Sequence, residues 1–63
     1  MITLSATCLA IAVADKAGQL RLVEREGRFG SFVAIEDNCG TIEVADDMSE
    51  AEARVAAIRE RVA

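Results

Sequence analysis

Histidine, tryptophan, tyrosine and proline are absent from this 63-residue chain, and cysteine and phenylalanine occur twice each. Without histidine the usual general base is missing, and so is the relay that activates a serine or cysteine nucleophile. Ser31, in R-F-G-S-F, lacks the G-x-S-x-G spacing of a nucleophile elbow. Cys39 has Glu36 and Asp37 close by in sequence, the wrong charge to favour a thiolate. No catalytic residue and no enzyme activity are expected. The lack of Tyr and Trp leaves only Phe29 and Phe32 as stacking platforms for nucleic-acid bases. Two cysteines allow one disulfide at most, Cys8–Cys39, and fall far short of a secreted disulfide scaffold. Reduced thiols are the preferred reading. The longest uncharged run, Met1 to Ala14, is too short to span a bilayer. Its Ala12-Val13-Ala14 resembles a signal-peptidase site, but no basic segment precedes it, so cytoplasmic residence is expected.

One further absence organises the chain. No Lys or Arg occurs from Phe29 to Ala53, while seven carboxylates fall between Glu36 and Glu52. The net charge is −4, distributed as +1 over residues 1–28, −7 over 29–53 and +2 over 54–63. Such polarity repels nucleic acid and attracts basic partners. Direct nucleic-acid binding, which needs a basic patch, is not expected.

What is present suits one small domain, residues 1–63. A chain of this size buries roughly 60% of its unfolded surface, so stability is marginal and oligomerisation would help. Ile2 to Ala14 alternates in two phases and reads as a strand with a bend between Cys8 and Leu9. The rival reading is an Ala-rich helix over Ala6–Lys16, capped by Ser5 and ended by Gly18. Strand is preferred, because Thr3, Thr7, Ile11 and Val13 are poor helix formers. Asp15 to Gly18 then forms a turn. Gln19 to Glu26 alternates, with Leu20 and Leu22 on one face and Arg21, Val23 and Arg25 on the other. After a tight connection at Glu26-Gly27, Phe29 to Glu36 is apolar on both faces, as expected of a central strand or one that meets a partner. Asp37 to Gly40 is a hairpin turn, and Thr41 to Ala45 a strand with Glu43 outward. Ser49 and Glu52 form a capping box, S-E-A-E, with Met48 as staple. Ala51, Val55, Ile58 and Val62 make one apolar helical stripe. The expected fold is α+β: a small antiparallel sheet of about four strands, in two hairpins, with one C-terminal helix packed on a face.

Two ligand motifs fail on inspection. Placing Gly40 at the sixth position of a calcium loop puts Ile35 first and Cys39 fifth, neither an oxygen ligand. Gly27-Arg28-Phe29-Gly30 matches the bare G-x-x-G of a KH loop, but lies between strand patterns rather than helices. No metal and no cofactor are expected.

The carboxylates remain. Glu50 and Glu52 serve the helix start, which leaves Glu36, Asp37, Glu43, Asp46 and Asp47 as the candidate partner-binding set. Very short, acidic chains without catalytic residues resemble phage-encoded anti-CRISPR proteins, with E-D-N-C-G-T-I-E-V-A-D-D-M-S-E-A-E as the acidic surface here. The resemblance implies inhibition in a bacterial cytoplasm by binding a CRISPR effector complex, the carboxylates occupying a basic groove that otherwise takes DNA. The alternative is a structural or oligomerisation module, antitoxin-like or a regulatory subunit, that forms a homodimer through Phe32 to Ile35.

Overall fold

A computed structural model describes residues 5–62. Its elements run α1 (Ala6–Lys16), β1 (Arg21–Gly27), β2 (Gly30–Asp37), β3 (Gly40–Ala45) and α2 (Met48–Val62). The class is α+β, with a three-stranded antiparallel sheet in the order β1-β2-β3 and two helices.

The largest departure from expectation is α1, where a strand was preferred. Ser5 has an extended backbone, and its hydroxyl accepts from the Cys8 amide at 3.2 Å, capping the helix. Ile11 and Ala14 are buried, and Cys8 and Ala12 lean on the same core, a helical spacing that alternation conceals. Tertiary burial of that face outweighs the weak helix propensity of Thr7, Ile11 and Val13. The expected strand residues Ile2 to Leu4 lie outside the described residues. Lys16 ends the helix, and Gly18, at φ 73°, makes the left-handed turn into β1.

The sheet is a meander of two hairpins. The first pivots on Arg28 and Phe29, between the paired Gly27 and Gly30, two residues beyond the expected Glu26-Gly27 turn, so Phe29 lies in the loop and not in the strand. In the second, the Asp37 carboxylate accepts from the Cys39 and Gly40 amides at 2.8 and 3.1 Å, an Asx turn. A β-bulge interrupts the β2–β3 pairing: Ile35 faces Glu43 and Glu36 faces Thr41, leaving Ile42 unpaired.

Both helices pack on one face of the sheet. Val33 and Ile35 of β2 join Ile11 of α1, Ala45 of β3, and Ala51, Val55 and Ile58 of α2 in one core. Leu20 and Leu22 pack against it, as their spacing implied. The apolar stripe of α2 ends sooner than expected, since Val62 is exposed. No helix of the described residues is long and apolar enough to cross a membrane.

The start of α2 also differs. The Asp47 carboxylate accepts from the Glu50 amide at 2.7 Å, and the Asp47 carbonyl from the Ala51 amide at 3.1 Å, so Asp47 is the N-cap. Glu50 reaches back to the Asp46 amide at 2.8 Å. The cap is thus Asp47, with Glu50 bonding one residue further back than in a reciprocal capping box, and lies two residues before the expected Ser49 with Glu52. Either pair fits the sequence; Asp47 prevails because the helix must begin at once for Met48 and Ala51 to reach the core.

Candidate functional site

The five carboxylates read as a binding set do not form one surface. Alternation along β2 turns Glu36 away from the helices, opposite Arg21 of β1. Glu36 is only 7% exposed, and its carboxylate accepts from Arg25 Nε at 2.8 Å, lies 2.7 Å from Arg25 Nη2, and accepts from the Thr41 hydroxyl at 3.4 Å. On this face Arg25 sits opposite Phe32, and Val23 opposite Ala34. The ion pair therefore crosses the Val23–Ala34 pair, which explains how Ala34 is fully buried on a face that neither helix covers.

Glu43 was expected to point outward. The bulge turns it instead to the helix side, where Arg54 Nη1 meets it at 3.0 Å. Arg54 also pairs with Glu50 at 2.9 Å and donates to the Val44 carbonyl at 3.2 Å, fastening β3 to α2. The carboxylate of Glu43 foremost, with that of Glu50, holds the Arg54 guanidinium above its usual pKa. The carboxylates of Asp37 and Asp47 are engaged by the hairpin and by the helix cap. Of the five, only Asp46 has a carboxylate that is exposed and without a bond to the described residues. The stretch without cations is therefore not without cationic partners, because Arg25 and Arg54 enter it from outside in sequence.

Position divides the set further. Asp37 closes one end of the sheet, and Asp46 follows Ala45, which pairs with Val33 near the other. Strand geometry separates these ends by about 17 Å.

Two carboxylates outside the run join Asp46. Glu24 pairs with Val33, the residue that also pairs with Ala45, so Glu24 lies about 10 Å across the sheet from the end of β3. Glu26 lies one step nearer the hairpin tip, opposite Ser31. Both are exposed on the helix side of the sheet, beyond the apolar part of the core, and neither has an ion pair among the described residues. The acidic end thus comprises Glu24, Glu26 and Asp46, with Asp47 beside them. The alternation of β1 that puts Leu20 and Leu22 on one face also puts Glu24 and Glu26 there, a signal that the sequence reading did not use. What was missing was the hairpin register that carries them next to Asp46.

The opposite end holds cations and carboxylates together, Lys16, Arg59 and Arg61 with Asp15, Asp37 and Glu60. Lys16 and Arg61 are exposed without ion pairs among the described residues, and Arg59 binds Asp15 through two hydrogen bonds of 2.7 and 2.8 Å. The hydrogen bond from Arg59, aided by its charge, holds the Asp15 carboxyl below its usual pKa, and the same bond raises that of Arg59.

Both cysteines are free thiols, Cys8 half-buried and Cys39 exposed at the second hairpin. Among the described residues no group of three His, Cys, Asp or Glu side chains is placed to hold a metal ion. Comparison with protein-family models, curated proteins and solved structures returned no match.

Proposed function

We propose that this chain is a non-enzymatic protein-binding inhibitor that presents its acidic end to a basic protein surface. A CRISPR effector complex is the intended partner class, its DNA-binding groove supplying the Lys and Arg contacts. One observation carries the reading: Glu24, Glu26 and Asp46 gather at one end of the sheet, exposed and without ion pairs among the described residues. Like charges held together on a rigid frame destabilise the fold slightly, and a basic partner relieves that repulsion. The surface differs from the stretch that first indicated it. Glu36 and Glu43 support the fold, and Glu24 and Glu26 take their place.

The test is displacement of labelled target DNA from purified CRISPR effector complexes by the native chain. Displacement should weaken steeply with added salt and vanish in Glu24→Lys/Asp46→Lys. These positions are preferable to Asp47, whose change would also uncap α2. Displacement that survives the charge reversal would rule out mimicry.

The alternative of a homodimer through Phe32 to Ile35 has a weaker basis. Val33 and Ile35 are buried under the helices, and the Arg25–Glu36 pair roofs the centre of the other face.

A further inference from the structure

Two apolar features are left over by the fold. Phe29 is 99% exposed at the tip of the first hairpin. In the tight turn that presents it, Gly30 adopts φ 122°, and a Cβ on Gly27 would approach the Phe32 ring to 3.0 Å. Phe32 therefore packs against the hairpin and leaves Phe29 uncovered. The second feature is a groove between α1 and α2 of about 360 Å³, lined by Leu9, Ala12, Val13 and Val62, with Lys16 and Arg59 on its rim. Leu9, Val13 and Val62 are 50%, 68% and 52% exposed. Helix α1 is apolar on nearly every side, a composition typical of a helix covered on more than one face, yet only one face meets the core.

We infer that the occupant of this groove is Phe29 of a second copy of the chain. The ring is an apolar knob at the tip of a two-residue hairpin turn, and the groove is large enough for it. Charge favours the same pairing. Phe29 projects from the end that carries Glu24, Glu26 and Asp46, while the groove has Lys16 on its rim and Arg61 beside Val62; Asp15 in its lining is neutralised by Arg59, and Glu60 offsets one of the two remaining cations. Arg28, next to Phe29, is an opposing charge, but it does not reverse the negative balance of that end.

Knob and groove cannot meet within one molecule. The groove lies at the C-terminal part of α1, which leads into the start of β1, and the knob follows the end of β1. A seven-residue strand separates them by about 23 Å in a molecule 39 Å long. Contact between unlike patches at opposite ends is heterologous, so it propagates head to tail unless the rotation closes a ring. An aromatic side chain buries about 150–250 Å². Such a contact is far below the ~1,200 Å² of a stable interface, so the association is weak and concentration-dependent. This inference uses Phe29 and the groove, which the inhibitor reading does not, and stands or falls without any foreign partner.

Sedimentation velocity over a rising concentration series at low salt tests it. The native chain should show a weight-average sedimentation coefficient that increases with concentration and falls back when salt is added. Phe29→Ala and Val13→Glu should each remain monomeric, with native far-UV circular dichroism. An equimolar mixture of the two should form a dimer and stop there, because one sound knob meets one sound groove. Leu9→Glu replaces Val13→Glu should the latter fail to fold. A native chain that stays monomeric at millimolar concentration overturns the inference and leaves knob and groove to other partners. Association undiminished in Phe29→Ala overturns it as well. So does a mixture that stays monomeric although the native chain associates.

Discussion

The two ends of the sheet carry similar numbers of carboxylates and use them differently. At the end closed by the second hairpin, Glu36 is buried beneath Arg25, Asp37 holds the turn, and Asp15 is clamped by Arg59. At the end nearer the first hairpin, Glu24, Glu26 and Asp46 hold nothing. The difference teaches that the density of charge in a sequence is not its density in space. Strands of six to eight residues carry one acidic run to both ends of the molecule, and register brings in outsiders.

The sharpest break would remove the floor that both ends share. Ile35 is fully buried at the centre of the core. Ile35→Ala should cost about 2–5 kcal/mol, against a total of roughly 3–9 kcal/mol for a domain of this length. Urea denaturation followed by far-UV circular dichroism should show a larger fall in midpoint than Glu36→Ala or Asp47→Ala gives. Next in size is the tied end itself. Glu36→Ala removes a charged partner from Arg25, whose side chain is 51% exposed and can rehydrate, so the loss should be about 1–2 kcal/mol by urea denaturation. Glu36→Gln, which keeps an acceptor, should lose less.

Asp47→Ala should lower stability by about 1 kcal/mol through loss of the cap. Ser49→Ala, the substitution that the S-E-A-E spacing singles out, should change it by less than about 0.5 kcal/mol. The reverse order would move the cap back to Ser49. The Asp15–Arg59 clamp has the smallest effect and shows itself in pH. Because Asp15 titrates below its usual range in the folded chain, its contribution is fully present above the ordinary aspartate pKa. It is lost as pH falls through the lowered folded value. Arg59, raised further, stays charged throughout and does not set the window. Arg59→Ala should therefore lower stability slightly at neutral pH, leave it unchanged below the lowered folded value, and so flatten the acid limb of the stability curve.

Much of the fold was legible in the sequence. The faces of β1, the second hairpin and the buried positions Ala51, Val55 and Ile58 of α2 follow from period and turn chemistry. Helix α1 was not, because Ile2 to Ala14 fits two periods and only the core shows which of them buries Ile11. Among the described residues the expected first strand is helical from Ala6, so the sheet has three strands and not four. At the candidate site, the exposure of Asp46 was legible and the burial of Glu36 was not. Burial of a carboxylate depends on a cation 11 residues away in sequence, and only the β1–β2 register makes the two neighbours. The bulge at Ile42 likewise carries no sequence mark, yet it decides that Glu43 meets Arg54.

The division of the carboxylates into structural and unengaged ones can be measured without any partner. The urea midpoint of Glu24→Gln/Glu26→Gln/Asp46→Asn should equal or exceed that of the native chain, since these groups repel one another and bind nothing in the fold. A midpoint lowered as far as that of Asp47→Ala would show that they hold the structure together, and would contradict the account.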